Sequence, residues 1–186
     1  QRRRRHGGVD RFRERRRAGR VAALNSDAGT WIDTRSGVNE LALRLRSIET
    51  YCLDTEFHRE RTYFPQLALI QINIADEIFI VDPTAVDLDI IATMFDNDAL
   101  VILHAAQQDL DVLQLTCGSR LNSIFDTQIA AGFIGYSTPS LSALVQKEMG
   151  FALPKGDRLT DWLRRPLSDD QKSYAAADVR YLPALH

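Results

Sequence analysis

Only two cysteines occur in 186 residues, Cys52 and Cys117, far apart and outside any C-x-x-C pair, which leaves no material for a disulfide framework or a zinc knuckle. Such thiols suit a reducing, cytoplasmic setting. No apolar stretch approaches the roughly 18 residues of a membrane span. The basic start runs into polar sequence instead of an apolar signal core, so neither insertion nor secretion is indicated. Internal repeats are lacking, and biased sequence is confined to the Arg-rich start. What is there, 45% hydrophobic and 26% charged residues, is ordinary for a globular chain. A length of 186 residues suits one domain with a real core.

Charge divides the chain in two. Residues 1–20 hold ten Arg against Asp10 and Glu14, so this stretch carries +8 while the whole carries −2, and the remainder is strongly acidic. With almost nothing apolar to bury, residues 1–29 read as an Arg-rich disordered arm, either a solvated tail or a phosphate-binding element that attracts nucleic acid without regard to sequence. Residues 30–186 read as the folded domain. The sequence starts at Gln1 and stops at His186 within a helical pattern, as a fragment would.

The pattern from Trp31 onward is α/β. Val38, Leu41, Ala42 and Leu45 have helical spacing, Tyr51–Phe57 and Leu67–Ile74 alternate as strands, and Ile78–Val81 forms a third. The short polar link Ala75-Asp76-Glu77 reads as a hairpin turn, which makes the early strands antiparallel. A helix near Val86–Phe95, an apolar strand Leu100–Leu103 and a helix near Gln107–Leu115 then form a unit with parallel pairing, so the sheet is mixed. Ser123–Phe125 adds a short strand, Asp126 and Ser140 are placed to cap helices, and Ser168–Leu185 closes the chain as one helix.

Three fragments carry possible chemistry. Asp54-Thr55-Glu56 lies on a strand, so both carboxylates project from one face. If that face is buried, two close carboxylates repel unless a cation compensates, and a divalent metal is the natural one. Tyr174 and Asp178 lie four apart on a helix and share a face, while Ala175, Ala176 and Ala177 allow close approach to a neighbour. Asp109 follows the polar segment His104–Gln108 at the C-terminal end of an apolar strand, where open α/β sheets place sites. Each fragment also has a bland explanation: a wet strand face, a packed tyrosine beside a surface acid, and charge compensation at a helix start.

Read together with Thr62-Tyr63-Phe64-Pro65-Gln66-Leu67, Leu69-Ile70-Gln71, Asp126-Thr127-Gln128, Thr160-Asp161-Trp162-Leu163 and Arg165-Pro166-Leu167, the fragments resemble ribonuclease D in order and spacing over residues 30–186. The resemblance implies a DEDD-superfamily 3′-5′ exonuclease of the tyrosine subgroup, with a ribonuclease H-like fold. It makes Asp54, Glu56, Asp109 and Asp178 the metal-holding acids. Hard oxygen donors suit Mg²⁺ or Mn²⁺, and two ions about 4 Å apart are implied. On that pattern Asp54 bridges both ions, Glu56 and Asp178 hold the one carrying the attacking water, and Asp109 supports the other. Tyr174 orients the nucleophile, because a phenol with a pKa near 10 is a poor base at neutral pH.

Candidate substrate contacts are Phe57 and Tyr63, by stacking or as core, together with His104 and Lys155; Arg158 and Arg165 are further phosphate candidates. Asp126 reads as a helix cap and not a ligand. The implied partner is an RNA 3′ end, particularly of tRNA precursors, and the implied products are nucleoside 5′-monophosphates. DNA 3′-5′ exonucleases of the proofreading or Werner type share these acids, so the polymer stays open. A noncatalytic nucleic-acid-binding module on the same fold is the reading that retention of all four acids opposes. Full-length ribonuclease D resembles a catalytic domain followed by helical HRDC modules, a pattern not read in this sequence.

Overall fold

The structure, a computed structural model, describes residues 28–58, 64–153 and 160–186. The Arg-rich stretch 1–27, Tyr63, Lys155 and Arg158 lie outside the described residues, and so do the expectations placed on them.

Strand β1 (Thr30–Ile32) leads into helix α1 (Arg35–Leu45), which the Thr34 side chain caps by accepting from Gly37 N–H at 3.2 Å. The helix buries the stripe expected from its spacing, Val38, Leu41, Ala42 and Leu45. Strands β2 (Thr50–His58), β3 (Gln66–Ile74) and β4 (Glu77–Val81) follow. Ala75 and Asp76 both adopt positive φ, +49° and +73°, as a two-residue hairpin turn demands at both central positions. Asn73 fixes the turn by accepting from Asp76 N–H at 3.0 Å.

Next come α2 (Leu88–Ala92) with a 3-10 turn over Thr93–Phe95, β5 (Leu100–Leu103), α3 (Gln107–Cys117) and β6 (Ser123–Asp126). Helix α4 (Thr127–Phe133) starts on the expected Asp126 cap, and α5 (Leu141–Met149) on Ser140. Helix α6 (Asp169–Arg180) opens with a capping box between Ser168 and Gln171, and the chain closes with α7 (Leu182–Leu185). The single closing helix expected over Ser168–Leu185 is therefore two. Pro183 lies in the first turn of α7, where it has no N–H to continue an earlier helix.

The strand order is β1-β4-β3-β2-β5-β6. Strands β2, β3 and β4 pair antiparallel, and β5 and β6 join parallel, which is the mixed sheet expected. The sequence pattern did not indicate β1, which adds a parallel edge beside β4. The middle strand β3 is buried from Leu67 to Ile74, so it reads as a nearly continuous apolar run broken by Gln71 and Asn73.

Alternation sorts the side chains into two cores. Tyr51, Leu53, Ile70 and Ile72 meet α1, α2 and α3 on one face. On the other, Cys52, Leu69, Ile80 and Ile102 meet Ala175, Ala176 and Val179 of α6. The small alanines let α6 lie close to the sheet, and Asn73 secures it by donating to the Val179 carbonyl at 3.1 Å.

Candidate active site

Asp54 and Glu56 stand two apart on β2, so the pleat turns both carboxyl groups to the face that α6 covers. Tyr174 and Asp178 share the side of α6 turned toward them. Carboxylate oxygens of Asp54, Glu56 and Asp178 lie within 4.8 Å of one another. A register irregularity between Glu56 and Phe57 interrupts the β2–β3 ladder just beyond the acid pair, a place where bulges often re-aim side chains. Phe57 packs on the core of the opposite face and does not line the cleft, which fits the core reading of that residue.

Asp109 arrives from a different direction. Strand β5 pairs with β2 only over Thr50–Cys52, which leaves the next stretch of that β2 edge to the first turn of α3. There the Thr55 N–H donates to Asp109 Oδ1 at 3.1 Å, and the Thr55 hydroxyl donates to the same oxygen at 2.5 Å. The start of α3 is itself set by Asp126, whose carboxylate accepts from Ala105 N–H at 3.1 Å and Ala106 N–H at 2.9 Å. The same carboxylate caps α4 through Gln128 N–H at 2.8 Å. Asp126 is thus the cap that was expected, and it holds the turn that delivers Asp109.

The electrostatics follow from the crowding. Burial pushes the Asp54 carboxyl well above the usual range, and Asp109, Asp178 and Glu56 push it further. Glu56 rises to about 8 through burial and then through Asp178 and Asp109. Asp109 rises to about 6 because burial outweighs its bonds from Thr55. Crowding and burial of these acids favour their protonated forms, which is the environment a bound cation relieves. The donor set is all carboxylate oxygen, with no thiolate or imidazole among the clustered ligands, and that chemistry fits a hard divalent cation.

A cleft of about 280 Å³ opens over these acids, lined by Asp54, Glu56, His104, Leu141, Trp162, Tyr174 and Asp178. His104 has both ring nitrogens engaged: Nδ1 is 2.9 Å from Thr127 Oγ1 and Nε2 is 3.1 Å from the Pro139 carbonyl. Burial lowers its pKa, so the ring borders the cleft as a neutral imidazole. Trp162 stacks at a tilt on Tyr174, centroids 5.9 Å apart.

Arg165, a phosphate candidate by sequence, is instead turned inward. It forks onto Asp82 with bonds of 2.6 and 2.7 Å and also donates to the carbonyls of Ala68 and Trp162. A guanidinium so committed has little left for a phosphate, and its effect on the cleft is to hold the backbone of Trp162. Sequence reasoning gave Trp162 no role and passed over Leu141. The aromatic inside Thr160–Leu163 was a usable signal, whereas nothing local marks Leu141 as a cleft residue.

The sequence and the described fold match known proteins. A 3′-5′ exonuclease family model matches residues 30–186. Ribonuclease D of Xanthomonas oryzae pv. oryzae is 44% identical over 137 residues, covering 72% of this chain and 38% of that protein. Ribonuclease D of Desulfotalea psychrophila is 41% identical over 157 residues, covering 82% of this chain and 42% of that protein. The crystal structure of Escherichia coli RNase D, described as an exoribonuclease involved in structured RNA processing, superposes with a TM-score of 0.79 at 35% identity. That superposition covers 84% of this chain and 43% of the other. The chain spans less than half the length of these relatives.

Proposed function

Because this chain belongs to the 3′-5′ exonuclease family, we propose that it removes nucleotides one at a time from RNA 3′ ends, releasing nucleoside 5′-monophosphates. The observation that carries the reading is the gathering of Asp54, Glu56 and Asp178 under one cleft bordered by Tyr174; Asp109, held by Thr55 and outside the cleft lining, is near enough to raise the pKa of Asp54 and Glu56. Relatives named ribonuclease D support RNA as the polymer, and the 3′ ends of structured RNAs, tRNA precursors among them, are the substrates proposed.

In this reading Asp54, Glu56, Asp178 and Asp109 would hold two divalent ions, Mg²⁺ or Mn²⁺, with Glu56 and Asp178 serving the side of the attacking water, Asp109 the leaving-group side and Asp54 both. Cations held there would lower the pKa of water and offset charge on the departing 3′ oxygen. The chain's own residues do the rest. Tyr174 aligns the attacking water through its hydroxyl, and Trp162 keeps the phenol in place by stacking on it. The water gives up one proton to solvent as its oxygen bonds to the last phosphorus, the bond from phosphorus to the preceding 3′ oxygen breaks, and that oxygen takes a proton from solvent to become the new 3′ hydroxyl. His104 borders the cleft, and Lys155 is the proposed phosphate contact. Cys52 and Cys117 stand as free thiols, which supports a reducing, cytoplasmic setting. No helix among the described residues is long and apolar enough to cross a membrane.

The test pairs RNA and DNA single strands of one sequence, each labelled at the 5′ end and bearing a 3′ hydroxyl, with the purified protein and Mn²⁺. The expected result is a ladder of single-nucleotide steps on RNA, 5′-monophosphates as products, and at least a tenfold slower ladder on DNA. Internal cuts, 3′-phosphate products or faster digestion of DNA would contradict the proposal.

A further inference from the structure

Gln71 is the polar residue whose position the fold alone does not explain. It sits in the middle of β3 with 0% of its surface exposed, between the apolar Ile70 and Ile72. Among the described residues, neither its amide nitrogen nor its amide oxygen has a hydrogen-bond partner. Asn73, two residues on and equally buried, contrasts with it, since its amide is used on both sides, toward Val179 and toward Asp76. An unpartnered buried amide loses its hydration with nothing in return, so leucine or methionine would suit a purely structural position better.

The register shows what the amide is near. Gln71 lies directly opposite Asp54 in the β2–β3 ladder. Directly paired residues share a face, with Cβ atoms about 4.5–5.5 Å apart. That face is the one that α6 covers and the acids occupy. The Gln71 and Asp54 side chains therefore project side by side from one face, and Gln71 is not among the residues that line the cleft.

We propose that Gln71 is a positioning residue for Asp54: when the site is loaded with cation, its amide N–H, unpartnered in this structure, donates to the Asp54 carboxylate and holds it in the orientation that the cation-binding set requires. The proposal rests on the exonuclease reading of the site and deepens it. Asp54 is surrounded by three acids of like charge, Asp109, Asp178 and Glu56, so it gains from a neutral donor that neither adds charge nor competes for cations. A lysine or arginine in the same place would be a rival to the ion, and a serine would not reach.

Substituting Gln71→Met keeps the length and removes the amide; Gln71→Asn keeps the amide and withdraws it by one methylene. Mn²⁺ binding is measured by electron paramagnetic resonance of the free ion, beside thermal melting in EDTA and steady-state cleavage of RNA. Both variants are expected to bind Mn²⁺ about tenfold or more weakly, as loss of an outer-shell partner does, with kcat reduced and KM for RNA within twofold. Gln71→Met is expected to melt no lower than wild type in EDTA, because it removes an unpartnered amide.

Unchanged Mn²⁺ affinity in either folded variant would overturn the role of Gln71 while leaving the site reading intact. A lower melting temperature for Gln71→Met with unchanged affinity would make the residue merely structural and overturn the role as well. Absence of Mn²⁺ binding by wild type would remove both the site reading and this role.

Discussion

Asp54, Glu56 and Asp109 are poised against one another, and their protons report it. In the fold Glu56 keeps its proton up to about 8, against 4.5 ordinarily. The folded state therefore binds an extra proton between those values, and the stability this confers is present below pH 4.5 and is lost as pH rises toward 8. Asp109, raised to about 6, acts in the same sense. Melting temperature in EDTA is expected to fall between pH 5 and pH 8, and Mn²⁺ to restore it most at the upper end, where the carboxylates are free to bind it. A melting temperature that rises with pH over that window would contradict the described burial. By the same reasoning Asp54→Asn, which relieves three like-charge repulsions, is expected to melt at or above the wild-type temperature in EDTA; a clear drop would mean that the carboxylate supports the fold.

These acids were legible in the sequence through order and spacing, and the likeness to ribonuclease D read from them is borne out by the relatives found. What the sequence did not disclose was how Asp109 is held, because Thr55 lies 54 residues away and points to the opposite face from its neighbours Asp54 and Glu56. Nor did it separate Arg165 from the phosphate candidates, since a fork onto Asp82 depends on a contact spanning 83 residues.

That contact joins elements and has a measurable consequence. Asp82 ends the hairpin strand β4 and is buried, and Arg165 ties it to the loop that presents Trp162 to Tyr174. Burial alone would raise the Asp82 pKa, but bonds from Arg165 and Thr84 outweigh it and hold the carboxyl below the usual range. Its contribution is therefore present above about pH 4 and lost as pH falls, outside the window in which Glu56 acts. Removing the cation strands a buried carboxylate, at about 3–5 kcal/mol. Arg165→Met is thus expected to lower the melting temperature at pH 7 on the order of 10 °C. It is also expected to lower kcat as Trp162 loosens. An unchanged melting temperature would show that the pair carries nothing.

The element pattern was mostly readable because long periodic segments bury one face each, as α1 and β3 do. Short pieces escaped: β1 has three residues and a single neighbouring strand, too little for alternation to register, and the stretch near Val86–Phe95 shortens to Leu88–Ala92 followed by a 3-10 turn.

Taken as one object, the chain gathers acids from β2, α3 and α6, three regions spread from Asp54 to Asp178, and only the mixed sheet makes them neighbours. Antiparallel pairing places Gln71 opposite Asp54, while the parallel β5 pairs with β2 only as far as Cys52 and leaves the next stretch of that edge to Asp109. The site is thus a property of the topology, and disrupting any one acid should disable it without unfolding the rest.

The most direct measurement is digestion of 5′-labelled single-stranded RNA by wild type and by Asp54→Asn, both folded by circular dichroism, with Mn²⁺ present and with EDTA. The expected result is a stepwise 3′-end ladder for wild type with Mn²⁺, none in EDTA, and at least about a thousandfold slower cleavage by Asp54→Asn, the loss expected when several kcal/mol of charge stabilisation are removed. Undiminished cleavage by Asp54→Asn, or digestion by wild type that persists in EDTA, would contradict it.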